Sequence, residues 1–184
     1  MTMVERSKTD RSGKVYVAQG EYAIGAAPED VISAILGSCV AVCLWDELAQ
    51  VGGMNHILLP ELDKTGSEPV DRSARIGAYA METLINALIR KGALKGRMGA
   101  KVFGGASIVK GLSDIGERNA NFAMNYLKAE SIGCDAKSLG GSRARQVRFW
   151  PFSGQARQRF VPDADIEILA PQPQPGQNTD IEIF

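Results

Sequence analysis

Residues 31–46, VISAILGSCVAVCLWD, are the most apolar stretch of the chain, and Gly37-Ser38 interrupts them. A glycine and a serine at its middle favour two extended segments with a sharp bend between them. The short polar loop Asp46–Gln50 then leads into VGGMNHILL at 51–59, so the second segment and its successor are expected to form a β-hairpin.

The flanks supply further strands and two helices. KVYVAQGEYAI at 14–24 alternates and is rich in Val and Tyr, which predicts a strand kinked at Gly20; Pro28-Glu29-Asp30 predicts a turn. Over 73–91, Ile76, Ala80, Leu84 and Leu88 recur with Met81, Ile85 and Ile89 beside them, one apolar helix face. Asp71 or Ser73 is suited to cap its start and Gly92 its end. A second helix is predicted over 117–130, with Ala120, Ala123, Met124 and Leu127 inward and Gly133 closing it. Between the helices, a strand at 99–103 runs into Gly104-Gly105-Ala106-Ser107. Residues 145–152 and 155–161 flank Ser153-Gly154, a hairpin signal, and DIEIL at 165–169 reads as a last strand. The chain thus divides into a polar N-terminal tail (1–13), a domain (14–170) and a Pro/Gln-rich C-terminal tail (171–184) that ends in DIEIF. The fold class is α+β: a β-sandwich or curved mixed sheet flanked by two main helices. A regular βαβαβ order is absent, which disfavours a doubly wound fold.

Composition narrows the function. With 184 residues, 45% hydrophobic and 23% charged, the chain can bury a core without staples. Lys plus Arg (21) balances Asp plus Glu (21), so no global field attracts nucleic acid or anionic membrane. Three cysteines argue against a disulfide framework and for a reducing compartment, the cytoplasm. No apolar run reaches the roughly 20 residues of a membrane helix, and residues 1–13 lack a signal-peptide core. No P-loop pattern occurs, and Gly104-Gly105 reads as a tight turn rather than an anion nest. Cys39, Cys43 and His56 offer three potential ligands, but C-x-x-x-C is not a zinc-knuckle spacing; neither metal nor cofactor is expected. A basic run holds Arg143, Arg145, Arg148 and Arg157 with aromatic residues interleaved, and no acid lies between Lys137 and Asp163. Single-stranded nucleic acid favours such a mixture, but alternation in a hairpin also yields two unlike faces, and an anionic protein partner fits as well. The neutral whole chain offers little counterion release, so nucleic acid is not an expected partner.

Nucleophilic chemistry remains. Cys39 stands at the break in the apolar stretch, where its backbone N–H, freed from strand pairing, is available to an oxyanion. Cys43 reads as core, and Cys134 has no histidine near it. The sole histidine, His56, lies on the next strand. With a loop of Asp46–Ala49, Trp45 pairs with Gln50, and counting back sets Cys39 opposite His56 on one face. A one-residue slip would put them on opposite faces, so spacing leaves two readings: a Cys–His dyad, or a buried cysteine and a hydrogen-bonded strand histidine.

VISAILGSCVAVCLWD followed by VGGMNHILLP resembles the signature of the CheD family, the chemoreceptor glutamine deamidases. Further blocks agree in order: GEYA at 20–23, FGGAS at 103–107, IGERN at 115–119 and GGSRAR at 140–145. The resemblance spans about residues 14–169. It implies hydrolysis of particular glutamine side chains to glutamate on methyl-accepting chemotaxis receptors. The implied fold is that of the catalytic domain of Rho-deamidating toxins, a β-sandwich flanked by helices. It maps the nucleophile, acting through a thioester, to Cys39 and the base to His56. The family's third catalytic residue is a threonine six positions before the cysteine; here it is Ser33, expected to orient His56. No cofactor or metal is implied. Receptor bundles are expected to present acidic helix surfaces, which Arg143, Arg145 and Arg148 would bind as substrate-steering residues. Some members dock to a CheC-type phosphatase. A non-catalytic adaptor and a receptor methylesterase are therefore the alternatives.

Overall fold

The computed structural model describes residues 3–5, 13–60, 70–108 and 113–162. The strand expected at 165–169 and the C-terminal tail lie outside the described residues. Among the described residues no helix is long and apolar enough to cross a membrane.

Among the described residues, ten strands form two mixed sheets: β1 (Val4–Glu5), β2 (Lys14–Tyr16), β3 (Glu21–Gly25), β4 (Val31–Leu36), β5 (Val40–Asp46), β6 (Val51–Ile57), β7 (Gly99–Gly104), β8 (Gly133–Leu139), β9 (Arg145–Trp150) and β10 (Gln155–Phe160). The larger sheet runs β1-β3-β6-β5-β7-β8 and the smaller β10-β9-β4-β2. The bend at Gly37-Ser38 carries the chain between them: β4 belongs to the small sheet and β5 to the large one. The α-helices among the described residues are α1 (Val70–Arg90) and α2 (Ser113–Ala129).

Two apolar clusters give the layers. Val40, Val42 and Leu44 of β5 pack with Met81, Leu84 and Leu88 of α1 and Ala123 and Leu127 of α2. Ala41 and Cys43, alternating with them, face Ile32, Ala34, Leu36, Val147 and Phe149 of the small sheet. The molecule is therefore a two-sheet sandwich with both helices on the outer face of the large sheet. β5 is buried on both sides, which is why its sequence is apolar without alternation.

Four expectations are corrected. The strand read over 14–24 is two strands in different sheets: the chain turns at Gly20, whose φ is +80°. Val4–Glu5, within the expected polar tail, pairs in parallel with β3, and Met3 is buried. α1 is described from Val70 onward, so the positions expected as caps, Asp71 and Ser73, lie within the helix rather than ahead of it. α2 is closed by Ser131, the left-handed residue (φ 57°), while Gly133 opens β8. The end of α1 is as expected: Gly92 is left-handed and Ala93 N–H reaches back to Leu88 C=O at 3.1 Å.

Candidate active site

The β5–β6 hairpin decides where the sole histidine sits. Its loop is Glu47–Gln50, one residue later than the expected Asp46–Ala49. The Asp46 carboxylate accepts from the N–H groups of Leu48 (3.0 Å) and Ala49 (3.2 Å), and Gln50 closes the loop with φ 51°. Displacing a four-residue loop by one residue moves opposed pairs by two. Ala41, not Cys39, is opposite His56, and Cys39 lies just before the first residue of β5. A shift of two preserves the face. His56 thus shares the inter-sheet face with Ala41, and Cys39, partly buried, packs against the end of the same cluster.

His56 is 4% exposed. Its Nδ1 lies 3.1 Å from the Val17 carbonyl, which accepts only, so Nδ1 carries the proton. Nε2 is then the free acceptor of the neutral ring, and it is buried without a hydrogen-bond partner. Burial lowers the imidazole's pKa, partly offset by the Val17 carbonyl and the Glu21 carboxylate. Burial also pushes the Cys39 thiol up to about 11, against the pull of its own backbone N–H, which lies by the sulfur. The resting state is therefore a neutral thiol and a neutral imidazole with its basic nitrogen open. The Gln19 Oε1 atom lies 3.9 Å from Cys39 Sγ. Cys43 is fully buried, as expected of a core residue.

The loop bearing Cys39 is held from two sides. The Gly105 N–H donates to Cys39 C=O at 2.7 Å and Ala106 N–H to Gly37 C=O at 2.8 Å, so the diglycine turn binds the Cys39 loop with its amides. Gly104, at φ +114°, has no room for a side chain: a Cβ would lie 2.1 Å from Cys39 C=O. Asn119 of α2, fully buried, donates from Nδ2 to Ser38 C=O at 2.9 Å and accepts from Leu59 N–H at 2.8 Å. It thereby ties the Cys39 loop to the end of β6. Behind His56, the Gly20 N–H donates to His56 C=O at 2.9 Å. Segments distant in sequence, at 17–20, 37–39, 56–59, 104–107 and 119, converge on this one end of the sandwich.

Two expected site residues are placed elsewhere. Ser33 alternates with the buried Ile32 and Ala34, so it faces away from the inter-sheet layer that holds His56. Its hydroxyl donates to Val15 C=O at 3.3 Å, and its own carbonyl accepts from Val17 N–H at 2.8 Å. Arg145 is 2% exposed and cannot line a rim. It alternates inward with Val147 and Phe149, and donates to Ser138 C=O at 2.5 Å, Ser138 Oγ at 3.0 Å and Gly140 C=O. Arg143 and Arg148 are exposed, with Arg143 stacked over the Phe160 ring at 4.2 Å. Among the described residues no group of three His, Cys, Asp or Glu side chains is placed to hold a metal ion.

The model of the family described as CheD chemotactic sensory transduction matches residues 58–160. This chain belongs to the CheD family. Full-length relatives cover the part before that match, including Cys39 and His56. A protein of Acidiphilium cryptum (strain JF-5) is 47% identical over 173 residues, 94% of this chain and 91% of its own. One of Caulobacter sp. (strain K31) is 45% identical over 192 residues, 99% and 100%. One of Caulobacter vibrioides (strain NA1000 / CB15N) is 44% identical over 190 residues, 100% of both. All three are named probable chemoreceptor glutamine deamidase CheD. Among solved structures, the Neisseria meningitidis protein NMB0706 aligns with a TM-score of 0.39 at 11% identity, over 77% of this CheD chain and 64% of that one. Bacillus licheniformis YfiH aligns with a TM-score of 0.33 at 14% identity, over 55% and 39%. Both scores are too low to carry a fold relationship.

Proposed function

We propose that this CheD-family chain deamidates glutamine side chains of chemoreceptors in the cytoplasm, with Cys39 as nucleophile and His56 as base. The observation that carries the reading is the state of His56: Nδ1–H is fixed on Val17 C=O, and Nε2 is a buried acceptor with no partner. A thiol that burial keeps protonated needs such a base. Cys39 attacks the carboxamide carbon as His56 Nε2 takes the thiol proton, and the carbonyl pair moves to oxygen. His56 returns the proton to nitrogen, ammonia leaves, and a thioester remains. Water, deprotonated by His56, attacks the thioester carbon; the thiolate leaves, regains its proton and frees glutamate.

The third, orienting role falls to the Val17 carbonyl. Ser33 contributes through its main chain, whose carbonyl fixes the Val17 peptide. Arg143 and Arg148 meet the acidic receptor surface; in support, β9 and β10 contain no acid and Arg148 and Arg157 are opposed on one face. Kinship with Rho-deamidating toxins and docking to a CheC-type phosphatase belong to the same proposal.

Ammonia release from a chemoreceptor cytoplasmic fragment tests it. Cys39→Ala and His56→Ala are expected to abolish release, and Ser33→Ala to keep kcat within about threefold, since no transition-state contact is lost. Near-native release by Cys39→Ala would sink the reading; a hundredfold loss in Ser33→Ala would return the orienting role to the hydroxyl.

A further inference from the structure

Segment 17–20 wraps the catalytic histidine. Val17 C=O accepts from its Nδ1–H, and Gly20 N–H donates to its carbonyl. The turn is closed on itself by Glu21 N–H to Ala18 C=O at 3.0 Å and by Ala18 N–H to Glu21 Oε2 at 2.8 Å. So anchored, it presents one exposed side chain, Gln19, whose carboxamide stands beside Cys39 Sγ. The sulfur is where the substrate carbon arrives. A primary carboxamide carries an acceptor oxygen on one arm and two N–H donors on the other. Because Gln19 is exposed, a half-turn about its last side-chain bond exchanges the arms.

We infer that Gln19 is a further catalytic residue: its side-chain N–H donates to the oxyanion formed when Cys39 attacks the substrate carboxamide, as the partner of the Cys39 backbone N–H. This assignment rests on the reading of Cys39 and His56 given above. In the resting enzyme the Gln19 oxygen faces the thiol, an S–H···O contact. On attack the S–H proton passes to His56 Nε2, the C–S bond forms and the carbonyl π pair moves to oxygen. That oxygen, which needs donors, then receives one from Gln19 and one from the backbone. When the tetrahedral adduct collapses the charge leaves the oxygen and both bonds weaken, so they act on the transition state more than on bound substrate.

The test compares the full chain with Gln19→Ala and Gln19→Glu on a receptor fragment, with Cys39→Ala as control. Both Gln19 variants are expected to lose kcat by about 10- to 100-fold, the lower part of the range for oxyanion donors because this one is exposed. KM is expected to stay within about threefold. Glu, isosteric but donor-free and anionic, loses at least as much as Ala. Alkylation of Cys39 by iodoacetamide is expected to stay near its native rate in Gln19→Ala, which removes only a long S–H···O contact of 3.9 Å from the resting thiol; in Gln19→Glu the added negative charge is expected to slow it. A kcat within twofold of native in Gln19→Ala, with Cys39→Ala inactive, would overturn the assignment and leave the nucleophile standing. Retained activity in Gln19→Glu alone, or alkylation of Gln19→Ala falling in step with its kcat, would also overturn it. Release by Cys39→Ala would remove the reading on which it rests.

Discussion

At the scale of single residues, the proposed site pairs two groups whose charged forms burial disfavours. His56 folds into a place that disfavours its charged form, so its pKa is lowered on folding. The unfolded chain then binds more protons than the native one as pH falls through about 6.5, and stability is present above that value and lost below it. Urea unfolding between pH 5 and 7.5 is expected to show this loss, at most about 1.4 kcal/mol per pH unit from one group. His56→Gln is expected to flatten the dependence; an unchanged pH profile in that variant would mean the histidine titrates alike in both states. Cys39 and His56 stood out in the sequence because one is at a break in an apolar run and the other is unique. Val17 did not, because its contribution is a carbonyl that any residue carries. Ser33 draws notice by its hydroxyl, yet strand alternation turns that side chain away from His56.

At the scale of elements, the hairpins and both helices were legible because their periods are regular. Register and sheet membership were not. The β5–β6 pairing slid by two residues because Asp46 is both the last strand residue and the cap of its own loop. Residues 14–24 read as one strand because alternation is continuous across Gly20, and alternation does not say to which sheet each half belongs. β8 is exposed and polar along most of its length and gives no strand signal. Asn119 is where elements are joined: one buried carboxamide holds the Cys39 loop and the end of β6. Asn119→Ala leaves a buried N–H and a C=O without partners, and is expected to cost about 1–3 kcal/mol for each group left unsatisfied. It should lower kcat more than it raises KM, because it frees the loop that carries Cys39, the proposed nucleophile. Native stability and kcat in this variant would show that the Cys39 loop is held without it.

At the scale of the whole molecule, the helices cover one face of the sandwich and the outer face of β9–β10 is left to cations, glutamines and Trp150. Arg148→Gln with Arg157→Gln and Arg159→Gln is expected to raise KM for receptor about three- to tenfold at low salt and to flatten its salt dependence, with kcat nearly unchanged. Arg145→Gln differs: its guanidinium holds the turn after β8, so the loss is expected in the urea midpoint. A KM for the triple variant equal to native at low salt would remove this face from the encounter with receptor. The two-layer sheet arrangement was one of two shapes the sequence allowed, and the bend at Gly37-Ser38 selects it by moving the chain from one sheet to the other. The same bend sets Cys39 at the end of the layer that contains His56. The central claim, that this arrangement converts receptor glutamine to glutamate through Cys39, is tested most directly by the intact mass of a receptor cytoplasmic fragment after incubation. The expected result is a gain of about one dalton per glutamine converted, as NH2 is replaced by OH, with the wild-type chain and none with Cys39→Ala. An unchanged mass with the wild-type chain, or the same gain with Cys39→Ala, would contradict it.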